Sequence, residues 1–345
     1  MDLKIKLKHY LLITLFSLTI FSVHGTPNWL EINEFVAEEP ANTPGIAKNI
    51  LNAIRSPANV ISGQIVYPAI HSATPEINLS AKSYLESKGF IVKEISLLTP
   101  GTLPSSLLSY QAVIVTHPDT MDKEQWCIDA FGNGMSINDG LITASFRNYS
   151  NGCNTLLVNG PSVGKSEPWP TRYRMGSGFE AGIQFLEQEA KASHIIMRGL
   201  SLGGGMMGEA VIQHQFLDST HYLFISDRTF NKLTDVVKSI GTQIAGSTTG
   251  KVAAKLFQAS GTELDNVASA KKLSALNIPH IIIQHNGGGT DGVIPDVASL
   301  GFHLHQLPNL KNKIFIESSD IPHNGALPPK IDDLLKQEIT QFLTQ

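Results

Sequence analysis

The chain has 345 residues, 42% of them hydrophobic, and a formal net charge of −4, enough to bury a large core and with no basic excess for nucleic acid. Its two cysteines, Cys127 and Cys153, are too few for a disulfide framework and sit in no zinc-ligand spacing. Both read as small buried hydrophobes, with a single disulfide as the alternative.

Met1 to Gly25 has the layout of a secretory signal. Lys4, Lys6, Lys8 and His9 form a basic start, and Tyr10 to Phe21 is an apolar run short for a bilayer span. Cleavage after Val23-His24-Gly25 would leave roughly 320 residues, normal for a large α/β domain, with a charge of about −6. Export to the periplasm or beyond is the expectation; the alternative is an uncleaved N-terminal membrane anchor. No later stretch is long and apolar enough to be a membrane helix.

Residues 26–89 read as a helical extension, with helices over Pro44 to Arg55 and Glu76 to Lys88 and a Pro- and Ser-rich link between them. From Ile91 onward short apolar runs alternate with helical segments. That rhythm predicts a mainly parallel sheet covered on both faces. Strands are expected near Ile91–Leu98, Gln111–Thr116, Gln125–Phe131, Thr155–Val158, His194–Met197, Tyr222–Ser226, His280–Gln284 and Lys313–Glu317. The first two lack a helix between them and fit an antiparallel pair. Helices are expected over Ile142–Tyr149, Gly178–Ala192, Met206–Gln215, Val297–Gln306 and Pro329–Leu343. Asn231 to Asn277, between the sixth and seventh strands, holds two small amphipathic segments, Val236–Ala245 and Lys251–Ala259. They are joined by Gly246-Ser247-Thr248-Thr249-Gly250 and suit either a cap over a pocket or ordinary packing.

Gly199-Leu200-Ser201-Leu202-Gly203 follows the fifth apolar run and leads into a segment that can continue as a helix. A serine between two glycines at a strand-to-helix turn is a nucleophile elbow, in which small neighbours permit a strained backbone and the hydroxyl stands above the sheet. The helix start behind it favours developing negative charge. Without that context the five residues would read equally well as a tight glycine turn.

An activated serine needs a base and an acid that orients the base. A lone loop histidine is usually a solvated surface residue, but His323 falls between the last strand and the last helix, which singles it out. Asp291, in Gly289-Thr290-Asp291-Gly292-Val293-Ile294-Pro295, is the preferred acid. Asp227, after the sixth strand, is the rival on the same rim, and Asp320 is too near His323 in sequence to orient it well. Asp296 has the look of a helix N-cap before Val297. The expected geometry places Ser201 Oγ within roughly 2.6–3.5 Å of one His323 ring nitrogen, with the other nitrogen on a carboxylate. Oxyanion donors are expected from the backbone N–H of Leu202 and of Asn133, in Phe131-Gly132-Asn133-Gly134-Met135, with Gly134 as the alternative to Asn133.

Gly160-Pro161-Ser162-Val163-Gly164-Lys165-Ser166 resembles a phosphate-binding loop, but Asn159 stands where its first glycine belongs. Pro168 and Pro170 forbid the helix that would have to open at Lys165. A turn is expected there, and no nucleotide. His303 and His305 would diverge by about 200° on a helix, so a shared metal is not expected.

With these motifs in view, residues 90–345 resemble the α/β-hydrolase superfamily. Gly199-Leu200-Ser201-Leu202-Gly203-Gly204, Phe131-Gly132-Asn133-Gly134, the Asn159–Ser166 turn and Asp291-Gly292-Val293-Ile294-Pro295 stand where that superfamily places its elbow, oxyanion loop, post-strand glycine turn and acid turn. Phe131 replaces a histidine common before the oxyanion glycine, a change that leaves backbone donation intact. Together with Ser226-Asp227-Arg228-Thr229-Phe230, the set is similar to a bacterial branch seen in intracellular pathogens, some of whose members are type IV secretion substrates. The resemblance implies an α/β-hydrolase fold, an eight-stranded sheet with a small helical cap at about 231–277, and the chain order Ser201, Asp291, His323. It implies a serine hydrolase acting on a carboxylic ester, such as a lipid or other acyl ester, without metal or cofactor. A lipid substrate would add contact with a membrane surface, and an effector role would add a host partner. A silent hydrolase fold used for binding and a serine peptidase are the alternatives.

Overall fold

The computed structural model describes residues 27–40, 73–101 and 106–345. The expected signal at 1–25 and the helix over Pro44 to Arg55 lie outside the described residues. Residues 27–32 belong to a separate unit and contain one turn of 3-10 helix, Asn28–Leu30. The second unit, Asn33–Gln345, carries the sheet.

Nine strands form that sheet: β1 (Glu34–Val36), β2 (Ile91–Pro100), β3 (Leu107–Thr116), β4 (Gln125–Ala130), β5 (Asn154–Val158), β6 (His194–Leu200), β7 (His221–Asp227), β8 (His280–His285) and β9 (Lys313–Ser318). Their order is β1-β2-β3-β5-β4-β6-β7-β8-β9. The β2–β3 and β3–β5 pairs are antiparallel, and the remaining neighbours run parallel. All eight expected strands are present. The ninth, β1, comes from the extension expected to be helical and pairs in parallel with Ser96–Leu98 of β2. Three residues are too few to show a period, which is why the sequence hides it.

The central parallel strands are buried on both faces, so they read as continuous apolar runs rather than alternating ones. All five residues of β5 are buried, as are six of the seven in β7. Helices α1 (Leu79–Ser87), α2 (Pro118–Met121), α3 (Ile137–Ser150), α4 (Arg172–Gln188), α5 (Leu202–Gln213), α6 (Leu233–Ser260), α7 (Asn266–Ala275), α8 (Leu300–His305) and α9 (Pro329–Leu343) cover them. In α9 the buried side chains are Ile331, Leu335, Ile339 and Phe342, one helical stripe, and they pack on Ile225, Ile283 and Ile316 of the sheet.

Three expectations are corrected. The helix expected from Val297 is a 3-10 turn, Asp296–Ala298, followed by α8, and the side chain that caps α8 is Ser299 rather than Asp296. The helix expected from Met206 begins four residues earlier, directly after Ser201. The extension holds strand β1 as well as a helix.

The segment expected as two helices is helical throughout Leu233–Ser260, yet it doubles back. Gly246 has φ 86°, and a Cβ on Gly250 would stand 2.5 Å from the carbonyl oxygen of Lys238. In a straight helix those residues would be about 18 Å apart, so the chain must reverse between them. No described helix is long and apolar enough to cross a membrane.

The α9 stripe sets a test of the packing. Leu335 is 1% exposed and Leu334 is 41% exposed. Leu335→Ala should cost about 2–5 kcal/mol, seen as a lower urea midpoint with an unchanged slope. Leu334→Ala should stay within about 0.5 kcal/mol of the parent chain. Equal losses would mean that the helix is docked on another face.

Candidate functional site

The candidate site lies at the carboxyl ends of the parallel strands. There β6 gives way to α5 with no intervening loop, and Ser201 occupies the junction at φ 53° and ψ −119°. A non-glycine residue rarely holds that conformation, and here close packing enforces it. A Cβ on Gly199 would lie 2.5 Å from Gly204 Cα, and one on Gly203 would lie 2.6 Å from the carbonyl oxygen of Phe131. Only hydrogen fits at either position. The elbow is then tied to β7 and the chain beyond it: Ser201 N–H donates to the Asp227 carbonyl at 2.8 Å, and the Thr229 hydroxyl donates to the Ser201 carbonyl at 2.7 Å.

Two loops bring the other side chains. The loop after β9 presents His323, whose Nε2 is 2.9 Å from Ser201 Oγ. The loop after β8 presents Asp291, whose Oδ2 is 2.7 Å from His323 Nδ1. The loops are also joined through the backbone, since His323 N–H donates to the Asp291 carbonyl at 2.8 Å. Ser201, Asp291 and His323 are each less than a tenth exposed. Burial by itself would raise the Asp291 carboxyl. The hydrogen bond with His323, and those that Oδ1 accepts from the Ile294 and Val293 N–H groups, outweigh burial and hold it below its ordinary value.

Asp227, the rival acid, faces away from this chain of contacts. Its Oδ2 accepts from Arg198 at 2.5 Å and its Oδ1 from Arg228 Nε at 2.7 Å. Arg228 in turn donates from Nη1 to the carbonyls of Pro322 and Gly325, at 2.9 and 3.1 Å, on both sides of His323. These arginines are the residues that sequence reasoning missed. The one signal for Arg198 is a charge inside an otherwise apolar strand; Arg228 enters only within the Ser226–Phe230 stretch of the family resemblance, with no role attached. Asp296, expected as a cap, instead braces the acid loop, accepting from Gly289 N–H at 2.7 Å and meeting His285 Nδ1 at 2.9 Å.

The glycine loop after β4 reaches the elbow. A Cβ on Gly132 would make ordinary contact with Ser201 Cβ at 3.5 Å. Asn133 and Gly134 follow on the exposed side of that loop, and Leu202 opens α5.

The segment resembling a phosphate-binding loop is a turn: Gly164 has φ 60°, no helix starts at Lys165, and the next helix begins at Arg172. Three of its N–H groups, those of Val163, Lys165 and Ser166, are engaged, that of Lys165 donating to Gln111 Oε1 at 3.0 Å. His303 meets the Val297 carbonyl, whereas His305 meets the Glu317 carboxylate and stacks on Phe315. Cys127 and Cys153 are free and buried.

The sheet order and the placement of Ser201 are those of an α/β-hydrolase fold, and solved structures agree. An α/β hydrolase from Vibrio vulnificus is similar over 91% of this chain and 96% of its own, at TM-score 0.53 and 13% identity. An esterase of Pyrococcus furiosus is similar over 76% of this chain and 92% of its own, at TM-score 0.52 and 12% identity. An acylaminoacyl peptidase of Pyrococcus horikoshii is similar over 77% of this chain and 43% of its own, at TM-score 0.50 and 15% identity. Residues 112–344 match the family described as Chlamydia CHLPS protein (DUF818), and the chain belongs to that family. No curated protein matches the chain in sequence.

The charged network at the end of β7 sets a pH test. Burial would raise the Asp227 carboxyl, but Arg198 and Arg228 bring it down to about 2. Because the folded value lies below the unfolded one, the ionised carboxylate stabilises the fold above about pH 4, and that contribution is lost as pH falls toward about 2. Asp227→Asn should cost about 3–5 kcal/mol at pH 7, since it leaves buried guanidinium groups unpaired. It should also flatten the decline in urea midpoint between about pH 4 and pH 2. A variant as stable as the parent at pH 7 would show that the network is not a stabilising one.

Proposed function

We propose that the chain is a serine hydrolase that cleaves a carboxylic ester through an acyl-enzyme. The observation that carries the reading is the unbroken relay of short contacts, Ser201 Oγ to His323 Nε2 at 2.9 Å and His323 Nδ1 to Asp291 Oδ2 at 2.7 Å. With Asp291 ionised, Nδ1 carries the proton and donates it to the carboxylate, which leaves the Nε2 lone pair facing the serine hydroxyl. His323 takes the Ser201 proton as the oxygen attacks the ester carbonyl. It then gives that proton to the departing alcohol. Water repeats the sequence in reverse roles and frees the acid. Asp291 stays ionised and stabilises the imidazolium.

The oxyanion would be held by the Leu202 N–H at the start of α5 and by the Asn133 N–H, with Gly134 as the alternative in the same loop. Gly132 resting against Ser201 supports that placement. The α6 hairpin is the natural cover for an acyl pocket, and a lipid or other acyl ester is the substrate class we favour. Export directed by residues 1–25 belongs to the same proposal and rests on the sequence alone.

A fluorophosphonate probe should label the folded protein at Ser201, because it requires an activated serine. Ser201→Ala should abolish labelling and lower ester turnover by several orders of magnitude, with little change in melting temperature. His323→Ala should nearly match it. Asp291→Asn should cost somewhat less, about 10⁴-fold in kcat, by spoiling the imidazole tautomer. Equal labelling of the parent chain and Ser201→Ala would refute the assignment. Labelling of neither would favour a silent binding protein, and turnover of acyl-peptides in preference to esters would favour a peptidase.

A further inference from the structure

A cavity of about 460 Å³ lies beneath the His323 loop, between α3 and α9. Arg147, Arg198 and Arg228 line it together with Asp129 and Asp227, and Phe131, Met135, Leu200 and Leu327 supply apolar wall. Three guanidinium groups therefore face two carboxylates. Asp332 also reaches the cavity, but it is paired with Lys336 at 2.7 Å and adds no net charge.

Every oxygen of the two buried carboxylates already accepts a hydrogen bond. Asp129 takes Arg147 on Oδ1 and Asn148 Nδ2, at 2.7 Å, on Oδ2. Asp227 takes Arg228 on Oδ1 and Arg198 on Oδ2. Arg228 has spent all but one of its donors on Asp227 and on the Pro322 and Gly325 carbonyls. Arg198 and Arg147 have not. Arg198 bonds through Nη2 alone, and Arg147 through Nη2 and Nε, so among the described residues Arg198 Nε and Nη1 and Arg147 Nη1 are unpartnered.

The Arg198 side chain is only 10% exposed, and the residue lines the cavity. A buried excess cation is unfavourable unless something pairs with it. The excess falls on Arg147, whose charge is disfavoured first by burial and then by Arg198, whereas at Arg198 burial is outweighed by the Asp227 and Asp129 carboxylates, which favour the charge.

We propose that this cavity binds the carboxylate of a small organic acid, held by Arg198 and Arg147, with its short apolar tail against Phe131, Met135 and Leu200. One negative charge balances the cluster. A planar carboxylate matches guanidinium donors in pairs, which a spherical or tetrahedral anion does less well. The apolar wall selects an acid with a few carbons over a bare ion. His323, Asn324 and Gly325 form part of the same wall, and Arg228 grips the carbonyls on either side of His323. An occupant is thus placed to act on the histidine loop. Two sources share this chemistry: the acid released by the chain's own esterase reaction, and a separate carboxylate metabolite. Binding does not depend on the proposed function; only the kinetic arm of the test does.

The test is calorimetric titration of sodium butyrate into the full chain carrying Ser201→Ala, at constant sodium and chloride, beside the same titration with inorganic phosphate. We expect one saturable butyrate site with a Kd of about 1 mM or tighter, and weaker phosphate binding. Arg198→Gln should weaken butyrate at least about tenfold, and Arg147→Gln, where the side chain is 28% exposed and Asn148 still holds Asp129, should do the same if Arg198→Gln fails to fold. No saturation by about 100 mM, equal affinity in the glutamine variants, or a preference for phosphate would overturn the proposal. In the parent chain butyrate should alter ester turnover non-competitively, and should do so far less in Arg147→Gln. Purely competitive inhibition would place the acid at Ser201 and overturn a separate site. Accumulating product that reproduces the butyrate effect during turnover assigns the ligand to the reaction itself, and an effect seen only with added acid assigns it to a separate metabolite.

Discussion

The backbone of Ser201 is the constraint on which the rest of the structure depends. At φ 53° it costs on the order of 1–3 kcal/mol, and nothing within the five-residue elbow supplies that energy. The surroundings do. β6 and α5 pack so closely at Gly199 and Gly203 that the chain has no other way to turn, and the hydrogen bonds from Thr229 and to Asp227 hold both ends of the Ser201 peptide. Three neighbouring strands therefore have to end on one line. β4 delivers the carbonyls of Ala130 and Phe131 against Gly203, and β7 delivers Asp227 beside Ser201. The parallel sheet is what makes that line.

A second layer of organisation is electrostatic. Asp227 leaves the sheet at the same rim yet turns its carboxylate away from Ser201, toward Arg198 and Arg228. Through Arg228 it holds the His323 loop by two backbone carbonyls, so the carboxylate that does not touch the histidine still governs where the histidine stands. The acid that does touch it is managed differently. Asp291 is kept ionised by the imidazole and by two backbone N–H groups of its own turn, and Asp296 with His285 steadies that turn from behind. Two carboxylates of the same type, on the same edge, thus have opposite tasks set by their neighbours.

The region between β7 and β8 shows how packing divides a sequence that looks uniform. α7 lies against α5, and Lys272 donates to the Ile212 and His214 carbonyls at the end of that helix, so it belongs to the body of the fold. α6 folds back on itself at Gly246 and packs Gly241 against Gly250, which leaves Ile240, Val252 and Leu256 exposed.

Much of this was legible in the amino-acid sequence, for reasons that are local. Eight strands follow from apolar runs, the elbow from two glycines and a serine between a strand and a helix, and the chain order Ser201, Asp291, His323 from which strand each residue follows. Those features involve neighbours in the chain, and sterics and hydrogen-bond periodicity act between neighbours. What the tertiary structure alone decided is long-range. The edge strand Glu34–Val36 exists through pairing with residues some sixty positions away, and three residues carry no period of their own. Asp227 ends β7 and Asp291 lies in the loop after β8 on the same rim, so no spacing rule separates them. Arg228 reaches carbonyls more than ninety residues further along. A charge chooses its partner by distance in space, and only the folded chain sets that distance.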